Sequence, residues 1–376
     1  MKRVFAAGFA LFSMFFGAGD LIWPLILGGS AGDKNIYALI GFLLTGIVLP
    51  LLGLMAMMLF KGDHKAFFSR LGVIGAILFF IIQALLGPIA TIPRLITLSF
   101  ANLKPYLPLS LEGFILLSCI GLLFISYKKH RIIDILGFIL TPLLLISLGG
   151  ILLVGFFFAP DPQICEKAPL LAVKEGLFIG YNTMNLIAAF LFAPLVLNHF
   201  CGEQTTQRQA FKKMIQASVI AIGLLGLIYT GLTFMGSFYT PLLPAHSPEE
   251  RFGFLAQFIL GPWGACFSCL TIALACLTTA IPLVTISAEY IRTDLLKGKG
   301  GYLGLFLTLA ISGVIAHLGF MGIAAFLSPI LQIIYPGMIV LSVLNIGTVL
   351  YQMKPTKLPI YAAFGISTVG YLLELI

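Results

Sequence analysis

A carboxylate, two glycines and a proline fall close together near the start of the chain, in Gly17-Ala18-Gly19-Asp20-Leu21-Ile22-Trp23-Pro24, with apolar sequence on both sides. Glycine weakens a helix, and proline removes a donor while presetting φ for the first turn of a new one, so a break near Gly17 to Asp20 is expected. In lipid, the N–H and C=O groups freed by a break need an ion, a substrate or a polar cavity. A carboxylate at that depth is therefore a candidate ligand for a cation, an ammonium or a proton. The plainer alternative is a protonated Asp20 bonded to a neighbouring helix, with glycines that only allow close packing.

A second polar stretch, Glu175-Gly176-Leu177-Phe178-Ile179-Gly180-Tyr181-Asn182-Thr183-Met184-Asn185, implies a second break. Half-helix N-termini suit a carboxylate, and half-helix C-terminal carbonyls suit a cation or an ammonium. An amino acid carries both groups. The alternative is that Asn182, Thr183 and Asn185 only bond across helices. Farther on, Thr278 and Thr279 precede Pro282 and offer two hard oxygen donors to a small cation, although threonines in membrane helices usually bond back to their own carbonyls. Cys266-x-x-Cys269 has neither a histidine nor a second pair beside it and reads as apolar thiols rather than a metal site.

The elements that position these residues follow from composition. With 60% of 376 residues hydrophobic and 10% charged, the chain cannot face water as a globule, and its solvent is lipid. Apolar runs of about 20 residues predict an all-α polytopic membrane protein of eleven spans. They lie near Phe5 to Gly29, Ile36 to Phe60, Gly72 to Ala101, Ser110 to Tyr127, Ile132 to Ala159, Ala172 to Asn198, Ile215 to Phe238, Gly264 to Ile291, Tyr302 to Phe320, Ala324 to Tyr351 and Leu358 to Leu375. The first run is too long for a secretory signal.

Most Lys and Arg residues cluster on one side of this arrangement: Lys2 and Arg3; Lys61, Lys65 and Arg70; Lys128, Lys129 and Arg131; Arg208, Lys212 and Lys213; Arg292, Lys297 and Lys299; Lys354 and Lys357. The other side has Lys34, Lys104, Lys167, Lys174 and Arg251. This bias predicts a cytoplasmic N-terminus and accounts for the net charge of +8 without a nucleic-acid partner. Spans one and six both carry glycines, three and eight are long and contain proline, and five and ten have Thr141-Pro142 and Ser328-Pro329. Together these predict a 5+5 inverted repeat, about 5–159 and about 172–351, with an extra helix at about 358–375.

Gly17-Ala18-Gly19-Asp20 also satisfies the G-x-G-D pattern of intramembrane aspartyl proteases. That chemistry needs two carboxylates sharing a proton, and Asp134 lies at a helix start rather than deep in a span. Neither H-E-x-x-H nor G-x-S-x-G occurs. Arg94, toward the outer end of span three, is expected to act at an outer gate or vestibule.

The stretches FFGAGDLIWPLILGGSAG from Phe15, GFLLTGIVLPLLG from Gly41, GPIATIPR from Gly87, GYNTMNLIAAFLF from Gly180 and ACLTTAIPLVTISAEY from Ala275 resemble the branched-chain amino acid carrier family of Na⁺-coupled symporters. The resemblance covers nearly the whole chain. It implies a LeuT-type inverted-repeat fold with discontinuous helices one and six and alternating access around a midplane site. It also implies a multi-pass protein of the bacterial plasma membrane, with no cofactor and Na⁺ as coupling ion. The implied substrate site comprises Ala18, Gly19 and Asp20 with Phe178, Gly180, Tyr181 and Asn182. The implied Na⁺ site uses carbonyls near Ser13 and Phe16 with the hydroxyls of Thr278 and Thr279, and Asp20 is a further candidate. Ile89, Ile92 and Phe178 would hold the apolar side chain of leucine, isoleucine or valine.

The chain departs from the family pattern in three places. The family usually has Asn at Asp20 and Asp at Asn185, so the carboxylate has changed helices; side chains that lie together would keep one negative charge in the site. A glutamate common after the Ser-Phe of span three is replaced by Ala101, and eleven spans stand where relatives usually have twelve. Proton coupling or exchange of other neutral amino acids on the same fold is the alternative, with Asp20 as proton carrier. The oligomeric state stays open.

Overall fold

A computed structural model describes residues 1–126, 132–200, 206–354 and 356–374, and all regular secondary structure among them is helical. Lys128, Lys129, Arg131 and the predicted span ends at Tyr127 and Leu375 lie outside the described residues. Helix α1 (Lys2–Phe15) stops where Phe16 takes φ −77°, ψ 84° and Gly17 takes φ −110°, ψ −158°, and α2 (Ala18–Ala31) starts at once. The first break thus falls at Phe16 and Gly17, at the leading edge of the expected stretch. Pro24 does not open the new half-helix as expected but lies inside α2. Lacking an N–H, it cannot bond the carbonyl of Asp20 four residues back.

A tight turn leads to α3 (Asn35–Leu43), which continues through a π turn into α4 (Leu49–Leu59), followed by the short α5 (His64–Phe68). The third predicted span is α6 (Val73–Ala84) and α7 (Thr91–Leu103), separated by a kink where Gly87 takes φ −92°, ψ −116° before Pro88. Then come α8 (Leu111–Ser126), α9 (Ile132–Ile135), α10 (Thr141–Phe157), α11 (Pro169–Tyr181) and α12 (Asn185–Phe200). The last two are bent by 43° across a break in which Met184 has φ 63°. The chain continues with α13 (Gln207–Phe238), α14 (Arg251–Leu260), α15 (Pro262–Tyr290), α16 (Leu303–Ala316), α17 (Gly319–Tyr351) and α18 (Leu358–Glu374). Helix α14 was not expected from the sequence.

Among the described residues, six helical stretches are long and apolar enough to cross a membrane, or seven if the bent pair α11 and α12 counts as one. The chain is therefore a multi-pass membrane protein. Helices α8 and α16 have 16 and 14 residues, a rise of about 24 and 21 Å against a hydrocarbon core of about 30 Å, so length alone does not return the predicted eleven.

The two broken helices are each clamped to a neighbour at backbone contact. A Cβ at Gly28 of α2 would lie 1.9 Å from the Thr233 carbonyl oxygen of α13, and one at Gly236 of α13 would lie 2.2 Å from that of Leu25. Likewise Gly41 of α3 would meet the Val173 oxygen of α11 at 2.1 Å, and Gly176 of α11 the Ala38 oxygen at 2.0 Å. Only glycine allows such approach, and close packing is what holds helices together where lipid supplies no hydrophobic drive. Each break is thereby fixed in place against a continuous element.

Candidate functional site

Asp20 is the third residue of α2 and is 2% exposed. Its Oδ2 accepts from the Gly17 N–H at 3.0 Å, closing the open end of the new helix. Its Oδ1 accepts from Asn185 Nδ2 at 2.9 Å and from the Tyr229 hydroxyl, which itself accepts from Asn185 Nδ2 at 2.7 Å. The expected neighbourhood of positions 20 and 185 is thus a direct hydrogen bond across the two breaks. Tyr229, from the middle of α13, is fully buried with its ring edge-on to Phe42 at 5.1 Å. The sequence reading missed it. The available signal was a phenol at mid-depth in an apolar span, which needs a polar partner there.

A narrow cavity lies against this network, lined by Gly17, Ala18, Gly19, Asp20, Thr91, Arg94, Thr183, Met184, Asn185 and Thr279, with Met14, Phe15, Leu86, Ala188, Phe192 and Leu283 as its apolar wall. The structure therefore brings together Ala18, Gly19, Asp20, Asn185, Arg94 and Thr279 of the predicted residues. Asn182 adjoins them through its carbonyl, which accepts from Arg94 Nη2 at 3.3 Å. Arg94 is 3% exposed, so it belongs to the cavity wall and not to an open vestibule.

Ile89, Ile92, Phe178, Gly180 and Tyr181 do not line this cavity. Ile89 sits at the kink, and beyond it the residues one turn apart that face inward are Thr91 and Arg94, which turns Ile92 aside. Gly180 instead abuts Thr45 of the π turn after α3, Phe178 is 38% exposed, and the Tyr181 ring packs on Tyr335 at 4.5 Å. Met184, at left-handed φ, carries a strain of about 1 kcal/mol and turns its sulfur to within 3.6 Å of Thr91 Oγ1 and 3.7 Å of Arg94 Nη1.

Next to the cavity, Thr278 and Thr279 donate to the Ser13 carbonyl at 3.1 and 3.0 Å. In an unbroken helix that carbonyl would accept from the Gly17 N–H, which here bonds Asp20 instead. The break thus leaves a carbonyl oxygen without its helical partner and met by two hydroxyls, with Phe16 at the turn, and such neutral oxygens fit a small monovalent cation. Among the described residues no three His, Cys, Asp or Glu side chains gather as a metal-ligand group.

The family model for branched-chain amino acid transport proteins matches residues 1–372. The chain belongs to that family. Within it, the chain is 32% identical over 356 residues to the branched-chain amino acid permease BraB of Bacillus subtilis, covering 92% of this chain and 80% of that relative. It is 31% identical over 388 residues to a putative branched-chain amino acid carrier of Staphylococcus haemolyticus, with 95% and 84% covered. Among solved structures it is similar to Mhp1, a nucleobase-cation-symport-1 family transporter, at TM-score 0.67 and 11% identity over 92% of this chain and 78% of that one. A manganese transporter of Eremococcus coleocola matches at TM-score 0.64 and 14% identity over 99% and 86%. These neighbours share the fold; relatives and neighbours alike are transporters, and the family member described here is a transporter, not an enzyme.

Proposed function

We propose that the chain imports leucine, isoleucine and valine with Na⁺ by alternating access around the cavity between α2, α7, α12 and α15. The observation that carries this is Asp20, which joins the two helix breaks and, through Gly17, leaves the Ser13 carbonyl to Thr278 and Thr279. The cavity measures about 20 Å³, room for about one water, so the amino acid takes its place there only when the apolar wall parts, and Na⁺ takes the oxygens at Ser13, Thr278 and Thr279. The neutral oxygens at Ser13, Thr278 and Thr279, which carry no titrating proton, support Na⁺ as the coupling ion.

The 5+5 repeat and the eleven spans belong to this reading, supported by the matching packing of α1 and α2 on α13 and of α11 and α12 on α3 and α4. So does a bacterial plasma membrane location with the N-terminus in the cytoplasm. A wider cavity faces the side with Lys65 and Arg292, lined by Gln83, Leu195 and Ile286 about one turn beyond Leu86, Phe192 and Leu283. It is the exit once those three side chains part. One charge crossing 100 mV supplies about 2.3 kcal/mol, enough for a tens-fold accumulation before any sodium gradient.

Reconstituted chain should take up labelled leucine with inward Na⁺ and not with choline, and excess isoleucine or valine should block it. Thr278→Val should raise the Na⁺ concentration for half-maximal uptake about tenfold. Uptake driven by a proton gradient without Na⁺ would make Asp20 a proton carrier, and uptake of no branched-chain amino acid under any gradient would sink the substrate assignment.

A further inference from the structure

Arg94 has more donor capacity than its surroundings use. It enters the cavity wall from the first turn of α7, 3% exposed, and its guanidinium lies 5.0 Å over the Phe320 ring. Nη2 donates to the Asn182 carbonyl at 3.3 Å, Nη1 reaches the Met184 thioether at 3.7 Å, and Nε has no partner. One carbonyl at the long end of the hydrogen-bond range and one weak sulfur acceptor leave a five-donor fork largely unmet, a costly state for a buried cation. Asp20 attracts the guanidinium but supplies none of the missing acceptors, since the hydrogen bonds it accepts come from Gly17, Asn185 and Tyr229. A Cβ at Gly19 would lie 2.5 Å from Nη2, so glycine there leaves room for the guanidinium beside α2.

The geometry points to Arg94 as the group that binds the α-carboxylate of the substrate, with Asp20 facing its ammonium. The assignment rests on the amino-acid transport reading and replaces a gate by a specificity-determining residue. The planar fork matches a carboxylate with two parallel hydrogen bonds, and the bound zwitterion meets both buried charges at once. An amine without a carboxylate leaves the guanidinium bare, and a site built for a polar group rejects a ligand lacking it strongly.

Calorimetry on the purified full chain in detergent, with leucine and with 3-methylbutan-1-amine, which is leucine without its carboxyl group, tests this. The unsubstituted chain should prefer leucine by on the order of a hundredfold or more. In Arg94→Gln that preference should fall below about tenfold through loss of leucine affinity, and Arg94→Lys should lie between, keeping the charge without the fork. Melting temperatures report folding, and if Arg94→Gln does not fold, the Arg94→Lys ratio decides alone. An unchanged preference, or equal losses for both ligands, overturns the assignment and leaves the transport reading standing. No leucine binding by the unsubstituted chain overturns both.

Discussion

Exchanging Asp20 and Asn185 asks whether the cavity needs a carboxylate or needs it on α2. Asp20→Asn keeps an oxygen that can accept from the Gly17 N–H but removes the charge beside Asn185 and Tyr229. Leucine uptake should fall at least about tenfold, the effect of 1.4 kcal/mol. Adding Asn185→Asp returns a carboxylate within hydrogen-bond distance of its original place, and uptake in the double variant should recover most of that loss. Full activity in Asp20→Asn alone would mean that no charge is needed. This site was half legible: Asp20, Asn185 and Thr279 stand in motifs broken by glycine or crowded with polar groups. Tyr229 gave no such cue because α13 runs unbroken for 32 residues, and its partner is 209 positions away.

At the scale of elements, glycines at the α3–α11 crossing carry the packing. In Gly41→Val a branched side chain would begin 2.1 Å from the Val173 oxygen, so the helices must separate. Overpacking of this kind costs about 1–3 kcal/mol, and the melting temperature in detergent should drop by several degrees. Gly121→Ala, with nothing within 4 Å of the added methyl, should not lower it. The breaks in spans one and six were readable from glycine within apolar sequence. The rotation of α7 was not, because it depends on the φ and ψ that Gly87 adopts ahead of Pro88, and that rotation is why Thr91 faces the cavity while Ile92 does not. Helix α14 escaped because ten residues of amphipathic sequence after a polar loop give no span signal.

For the whole molecule, acid should loosen the fold through the loop between α4 and α6. His64 is half-buried against Phe79, with ring centroids 4.7 Å apart, and loss of hydration pulls its pKa from 6.5 to about 4 despite the opposing charges of Asp63 and Asp294. The folded chain therefore keeps the imidazole neutral where the unfolded chain protonates it. Stability is complete above pH 6.5 and declines as pH falls toward 4, by an amount on the order of 3 kcal/mol at most. Melting temperature should slope across that window, and His64→Phe, which retains the stack, should flatten the slope.

The Gly17 amide has two possible acceptors, the Asp20 carboxylate that it bonds and the Ser13 carbonyl that a continuous helix would offer. On the proposed Na⁺ reading, whatever draws the carboxylate away hands the amide back to Ser13 and takes one oxygen from that ion. A ligand that steadies Asp20 in place keeps that oxygen available. For the proposed pair of cargoes, linkage then requires the exchange to be mutual: the factor by which leucine would tighten Na⁺ is the factor by which Na⁺ would tighten leucine. If the chain is the Na⁺ symporter proposed, a single peptide group is sufficient to make its amino acid and its ion travel as a pair.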